Sequence, residues 1–238
     1  LDNFESLLIL GIFHLKNSNV DQAQKYFLKA KNGNSRFILN NYVSSSLYNW
    51  SSLSDLNQAT LELKKIDDRF KNFKKIQNVF LNCYFNSLDT NNFFSEITSN
   101  QNTDYSRYNY FHASYVASTG KLSAAKEIVK QALKYHPRNL LLNQYKIDLE
   151  KNKNVLVFNC KKIEHVIAEI LYITANVLSS QSLYSTSNFY LNLAKYLNTD
   201  FHSYDTLLAE NFYKIDNFEK AKKIYNNLSK NGEAFNWY

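Results

Sequence analysis

The sequence has few of the residues that turn a chain sharply. Its 238 residues include one proline and four glycines, and methionine is absent. Turns in β-rich folds depend on glycine and proline, so their shortage favours helices joined by short polar connections. Asparagine and serine fill such connections here, as in the run Asn17-Ser18-Asn19. The composition therefore predicts an all-α fold, and 45% hydrophobic residues are enough to bury a core.

Cysteine and histidine are too scattered to form a recognisable site. Cys83 and Cys160 belong to no CxxC pair and have apolar neighbours, which predicts two buried free thiols. None of the five histidines has a second histidine or cysteine at ligand spacing, and His112 is expected to face the core. Phosphate-loop, dinucleotide-binding, zinc-protease and nucleophile-elbow motifs are missing as well. We therefore predict no catalytic residue, no metal and no cofactor.

Long apolar runs are also lacking. No stretch reaches the about 20 apolar residues that span a bilayer, so we expect no membrane-spanning segment. No signal peptide is visible, which favours the cytoplasm but leaves the compartment open. The chain starts at Leu1 inside an apolar helical pattern and stops at Tyr238, where a further helix is about to begin. These ends predict an excerpt of a longer protein and leave the oligomeric state open.

A period of 34 residues runs through the C-terminal part of the chain. Ala175 and Ala209 stand 34 apart, and other pairs of residues follow the same spacing. These pairs are Ser187 and Ala221, Leu178 and Phe212, and Leu191 and Tyr225. Small residues at set offsets let paired helices approach closely, and a fixed period of this length is typical of a stacked helix–turn–helix repeat.

This pattern resembles the tetratricopeptide repeat. That family has a small residue at position 8, and alanine, a large residue and alanine at positions 20, 24 and 27. Counted from Phe4, these four positions are held by Gly11, Ala23, Phe27 and Ala30. The resemblance implies a right-handed superhelical solenoid of antiparallel helix pairs.

The resemblance extends along residues 1–238 as one predicted array. Clear units cover residues 4–37, 106–139, 168–201 and 202–235, a degenerate unit covers 40–73, and irregular units lie near 72–105 and 140–167. Trp50 is expected to cap the core of the degenerate unit. The loop 99–103 is polar and is predicted to be mobile. Residues 155–158 fit either a short strand or the approach to a helix.

The tetratricopeptide family also implies a binding groove. Its first helices line a concave surface, into which positions 2, 5, 9 and 12 of each unit point. The residues so predicted to bind a partner are Arg107, Tyr110, Ser114, Glu169, Tyr172, Asn176, Thr206, Glu210 and Tyr213. Tyrosine, asparagine and serine offer apolar area together with hydrogen bonds, which suits an extended peptide. The alternative is that these residues pack against neighbouring helices.

The predicted function is a non-catalytic scaffold that binds a protein or an extended peptide. Residues 109–113 and 190–197 also resemble stretches of bacterial tetratricopeptide proteins, which implies the same role. One alternative is a helical-repeat RNA-binding protein, suggested by a net charge of +7, although only four arginines and scattered lysines argue against nucleic acid. Another alternative is the helical regulatory region of a larger enzyme.

Overall fold

The structure, a computed structural model, describes residues 3–33, 35, 37–99, 106–153 and 156–237. Every regular element in these ranges is a helix, so the predicted all-α class is confirmed. In chain order the α-helices are α1 (Phe4–Lys16), α2 (Val20–Asn32), α3 (Ile38–Ser51), α4 (Leu56–Lys64), α5 (Lys71–Tyr84), α6 (Thr90–Thr98), α7 (Ser106–Ser118), α8 (Leu122–Tyr135), α9 (Leu140–Glu150), α10 (Ile163–Ser180), α11 (Tyr184–Leu197), α12 (Ser203–Lys214) and α13 (Phe218–Leu228). Short 3-10 helices follow at Asp68–Phe70 and Glu233–Trp237.

Asparagine and aspartate side chains begin many of these helices. Asn3 Oδ1 accepts a hydrogen bond from the Ser6 N–H at 2.8 Å, and Asp55 Oδ1 accepts one from Gln58 at 3.0 Å. The same cap is formed by Asn19, Asn139 and Asn217. Such caps satisfy amide groups that the first helical turn leaves open. A chain poor in proline and glycine can therefore still start its helices sharply.

Left-handed residues mark the turns, and each described one except Asn152 (φ 54°) stands 34 residues, or twice 34, from another. Gly120 (φ 85°) follows Asn86 (φ 57°) by 34 residues, and Asp216 (φ 57°) follows Ser182 (φ 61°) by the same number. Ser18 (φ 58°) precedes Asn86 by twice that interval. Glycine accepts this backbone conformation without strain, whereas asparagine, aspartate and serine carry a steric cost. The 34-residue period therefore recurs in the backbone, including the stretch 72–105 that was predicted to be irregular.

The chain divides into two compact units, and each unit is discontinuous in sequence. Unit 1 combines the chain up to Asn86 with Cys160–Thr199. Unit 2 combines Ser87–Asn159 with the chain from Asp200 onwards. The predicted repeat units 168–201 and 202–235 are therefore divided, since the pair α10–α11 belongs to unit 1 and the pair α12–α13 to unit 2.

Unit 1 is held together by two helix pairs and by contacts between segments that are far apart in sequence. Helices α1 and α2 form one pair, and α10 and α11 form the other. Gly11 on α1 faces the Phe27 ring on α2, and Ser187 Oγ donates to the Ala175 carbonyl at 2.8 Å. Helix α10 also packs on α3, and α11 packs on α1. These two contacts are additional to the nearest-neighbour packing of consecutive repeats.

A buried polar network joins α3 to α5 in unit 1. Trp50 is buried as expected, and its Nε1–H donates to Gln77 Oε1 at 3.0 Å. Gln77 Nε2 in turn donates to Tyr42 Oη at 3.1 Å and to Ser46 Oγ at 2.9 Å. Burial raises the pKa of Tyr42, and its hydrogen bond with Gln77 opposes that effect. Each polar group of the network thus gains a partner away from water.

The prediction of two free thiols is wrong, because Cys83 and Cys160 form a disulfide. Both residues are buried as predicted, but their Cα atoms lie 6.0 Å apart although 77 residues separate them in sequence. The end of α5 and the chain that enters α10 meet inside unit 1. This tertiary contact brings together two cysteines whose local sequence gave no sign of pairing.

Unit 2 is built around an aromatic core. Helices α7 and α8 form a pair against which α9 packs, α6 lies on α7, and α12 pairs with α13. The Phe111 ring centroid lies 4.2 Å from that of Phe158 and 5.7 Å from that of Phe201. Ala113 and Ala209, two of the predicted small positions, are fully buried.

Some predicted features concern residues at the edge of what the structure describes. Residues 156–158 form no strand, and Phe158 is buried, while Val155 and the loop residues 100–103 lie outside the described residues. Among the described helices, none is both long enough and apolar enough to cross a membrane.

Candidate interaction surface

The nine predicted groove residues are divided between the two units. Glu169, Tyr172 and Asn176 lie on α10 of unit 1. The other six lie in unit 2: Arg107, Tyr110 and Ser114 on α7, and Thr206, Glu210 and Tyr213 on α12. Each helix therefore has to be judged by the exposure and contacts of its own residues.

On α7 the predicted residues pack inside unit 2. Tyr110 and Ser114 are both buried. The Tyr110 ring meets Tyr145 edge to face at 4.9 Å between centroids and stacks on Phe201 at 5.8 Å. Burial raises the pKa of Tyr110, and it raises that of Tyr145 to about 12, with the Ser114 hydroxyl opposing in both. These side chains stabilise the core and offer no surface to a partner, so the alternative of packing applies to them.

Arg107 is half-buried and covers the aromatic core of unit 2. Its guanidinium carbon lies 4.5 Å from the Phe201 ring centroid, 5.3 Å from that of Phe111 and 5.6 Å from that of Tyr204. Its Nη1 donates to Ser203 Oγ at the start of α12. A cation stacked on aromatic faces contributes to stability. Arg107 therefore joins α7 to α12 within the unit.

On α10 the predicted residues become more exposed towards the C-terminal end of the helix. Glu169 is buried, Tyr172 is half-buried and Asn176 is exposed. Residues four apart share one face of a helix, so Tyr172 and Asn176 can be covered by one partner. Glu169 belongs to the interior of unit 1, and the predicted contact on α10 is thereby reduced to its C-terminal half.

On α12 the predicted residues form an accessible face. Thr206 is half-buried, Glu210 is exposed, and Tyr213 keeps 58% of its surface in contact with solvent. Their spacing places all three on one side of the helix. Although the Glu210 side chain reaches solvent, loss of water around its carboxyl raises the pKa, and Lys214 opposes the shift. We call Thr206, Glu210 and Tyr213 the α12 face.

An exposed apolar cluster that the sequence reasoning missed adjoins this face. Tyr213 and Phe218 meet edge to face with ring centroids 5.4 Å apart, across the turn that joins α12 to α13. Phe218 is 51% exposed and Ile215 between them is 43% exposed. Turns at a protein surface are usually polar, so large apolar side chains in residues 213–218 were the available signal. We call Tyr213, Ile215 and Phe218 the turn patch.

Unit 2 also contains a polar cavity of about 480 Å³ between α9 and the segment that follows α13. Gln144 Oε1 accepts from the Ala234 N–H at 3.0 Å, and Lys151 forms an ion pair with Glu233. The lining holds two carboxylates, Asp148 and Glu233, and three lysines, Lys151, Lys153 and Lys230, so positive charge is in slight excess there.

Across the described parts of the chain, no three histidine, cysteine, aspartate or glutamate side chains are grouped so that they could hold a metal ion. No family model matches the chain, and no curated protein matches it.

Proposed function

We propose that this protein is a non-catalytic interaction module that binds a protein or an extended peptide through the α12 face and the turn patch. The observation that carries the proposal is the turn patch. Tyr213, Ile215 and Phe218 are 43–58% exposed and lie within six residues of one another, and the Tyr213 and Phe218 rings are in contact. Exposed aromatic side chains that a partner can cover dominate the energetics of many interfaces.

The chemistry of the surface defines the kind of peptide that fits. The turn patch accepts apolar side chains, while the Glu210 carboxylate next to it accepts hydrogen bonds from a lysine or arginine. Burial already raises the pKa of Glu210, so pairing with a cation restores favourable surroundings for its charge. The proposed ligand is therefore a segment that carries a basic residue close to apolar ones.

We also propose that the helix pairs within each unit pack in the right-handed tetratricopeptide manner. The 34-residue interval between left-handed turns supports this, as does the complete burial of small residues at the matching positions, such as Ala23, Ala113 and Ala175. In such packing, first helices present one face for binding, and α12 is the first helix of its pair.

Selection of peptides from a random display library, followed by affinity measurements, tests the binding proposal. Peptides enriched on the wild-type protein should bind Tyr213→Ala and Phe218→Ala at least roughly tenfold more weakly, because each variant removes an aromatic anchor. Tyr135→Ala is the matched control, since Tyr135 is 73% exposed and lies on α8, which belongs to a different helix pair. Fluorescence anisotropy gives the dissociation constants.

Two outcomes of this experiment contradict the proposal. One is that no peptide is enriched over a column without protein. The other is that Tyr135→Ala weakens binding as much as Tyr213→Ala does, because the patch would then have no special part in recognition.

RNA binding is the second candidate, and one observation favours it. Lys126, Lys130 and Lys134 are exposed at intervals of four on α8, so they form a basic stripe, although Lys130 also lies 3.9 Å from Glu127. A single-stranded RNA oligonucleotide in the same anisotropy assay separates the candidates. RNA affinity that falls steeply with salt and disappears on replacement of these lysines would favour this function over peptide binding.

A further inference from the structure

The disulfide of unit 1 lies where the chain leaves that unit and where it returns. Cys83 is in the last turn of α5, three residues before unit 1 is left at Asn86, and Cys160 is the first residue of the returning segment. Next to the bridge, Lys161 Nζ donates a hydrogen bond to Asn86 Oδ1. The disulfide and this hydrogen bond thus both connect the point where the chain leaves unit 1 to the point where it returns.

The pair α10–α11 belongs to unit 1 but follows a long excursion of the chain into unit 2. Along the backbone it is connected to the first part of unit 1 only through residues 87–159, which belong to unit 2. Its other attachments are non-covalent: α10 packs on α3, α11 packs on α1, and Lys16 Nζ donates to the Leu197 carbonyl at 3.0 Å. The disulfide adds a direct covalent link between α5 and the segment that leads into α10. Along the backbone, the two cysteines are 77 residues apart.

We infer that the Cys83–Cys160 disulfide is a redox latch that keeps the α10–α11 pair docked in unit 1. In an oxidising environment the latch is closed and the pair stays docked. A dithiol reductant opens it by thiol–disulfide exchange: the Sγ–Sγ bond breaks, Cys83 and Cys160 become thiols, and the reductant is oxidised to its own disulfide. Once opened, the pair undocks more often, and the exposed end of α10 that contains Tyr172 and Asn176 moves with it.

Burial determines how the latch responds. Cys83 is 1% exposed and Cys160 is 8% exposed, so an attacking thiolate reaches the bridge only when unit 1 opens locally. The native protein therefore reacts slowly with a dithiol, whereas the denatured protein reacts at the rate of an ordinary accessible disulfide. This behaviour matches a bond that persists outside reducing compartments.

Hydrogen–deuterium exchange of the full chain tests the latch. The oxidised protein, the protein treated with dithiothreitol and the Cys83→Ala/Cys160→Ala variant are compared peptide by peptide. In the reduced protein and in the variant, amides of residues 163–197 should exchange on the order of tenfold faster than in the oxidised protein. The pair α12–α13 is the internal control, and its exchange should not change.

Several results would overturn the inference. Denatured, never-reduced protein that titrates with two thiols shows that the bridge does not form. Equal exchange of residues 163–197 before and after reduction shows that the bridge does not hold the pair. A uniform rise in exchange through both helix pairs shows general unfolding rather than local release. Because reduction needs no substitution, the test remains decisive even where the double variant fails to fold.

Discussion

At the scale of single residues, His112 links the stability of unit 2 to pH. Its ring stacks on Phe94 with centroids 5.2 Å apart, and its Nε2 lies 2.8 Å from Asn91 Oδ1. Burial lowers the pKa of His112 to about 4, from 6.5 for an accessible imidazole. Because the folded state favours the neutral ring, the stabilisation is complete above pH 6.5 and is lost as the pH falls through 4. The core position expected from the sequence is confirmed.

Replacement of His112 by glutamine should remove this part of the pH dependence. Between pH 7 and pH 4 the wild type should lose roughly 3 kcal/mol more unfolding free energy than His112→Gln, since the pKa of His112 differs by about 2.5 units between the folded and unfolded protein. Urea unfolding of both proteins at the two pH values measures the difference. Carboxylates titrate in the same way in both proteins, so their contributions cancel in the difference between wild type and variant. One example is Asp67, whose pKa is lowered to about 2 by Arg69.

Parallel losses in the two proteins would show that His112 is not the group responsible. Asn91→Ala is a useful companion variant, because it removes the hydrogen-bond partner without changing the number of titrating groups.

At the scale of helices, the approach of α1 to α2 depends on a missing side chain. A Cβ atom at Gly11 would lie 2.3 Å from Phe27 Cε1, and Phe27 is fully buried, so its ring has no room to move. Gly11→Ala should therefore destabilise unit 1 by roughly 1–3 kcal/mol through overpacking. Gly33→Ala is the matched control, because the nearest atoms to its Cβ would be the Ala30 and Lys29 carbonyl oxygens at 3.4 and 3.6 Å.

Thermal unfolding followed by circular dichroism distinguishes the two glycine variants. The melting temperature should fall for Gly11→Ala and change little for Gly33→Ala. Equal melting temperatures for Gly11→Ala and the wild type would mean that α1 and α2 adjust without cost.

The sequence was informative about helices and much less so about how distant helices meet. Apolar spacing and small residues predicted the all-α class and the buried positions of Gly11, Ala113 and Ala175, since helix periodicity is a local property. The disulfide and the packing of α10 on α3 join residues far apart in sequence, so no local pattern could reveal them. These contacts arise only in the assembled unit.

The candidate site was predictable in part for the same reason. Thr206, Glu210 and Tyr213 follow the helical spacing of one accessible face, as the repeat positions imply. Tyr110 occupies an equivalent position on α7, yet Tyr145 and Phe201 cover it. Repeat position thus predicts the side of the helix, while the identity of the covering element depends on tertiary structure.

At the scale of the whole molecule, the discontinuity of unit 1 predicts that its intervening segment can be removed. The two sides of the cut are held together by the Cys83–Cys160 bridge, with Cα atoms 6.0 Å apart, and by the Lys161–Asn86 hydrogen bond. A shortened chain in which a glycine–serine linker of a few residues joins Asn86 to Cys160 should therefore fold as unit 1. We expect full helicity for its seven α-helices and a disulfide that forms on air oxidation.

Circular dichroism, thiol titration and hydrogen–deuterium exchange assess this shortened chain. Protection of residues 163–197 similar to that in the full protein would agree with an independent unit 1. A molten chain with unprotected amides would mean that residues 87–159 are needed for unit 1 to fold. The control is the same chain ending at Asn86, which lacks α10 and α11 and should be less stable.

The interrupted path of unit 1 has a consequence for biosynthesis. Helices α1 and α3 leave the ribosome first, but α10 and α11, which cover them, follow only after residues 87–159 have been translated. At about 5–20 residues per second, that delay is roughly 4–15 seconds. Throughout it, apolar side chains of the nascent N-terminal helices lack their final cover. We therefore expect the incomplete nascent chain to be prone to aggregation during this interval. Chaperone binding in that time should raise the yield of folded protein.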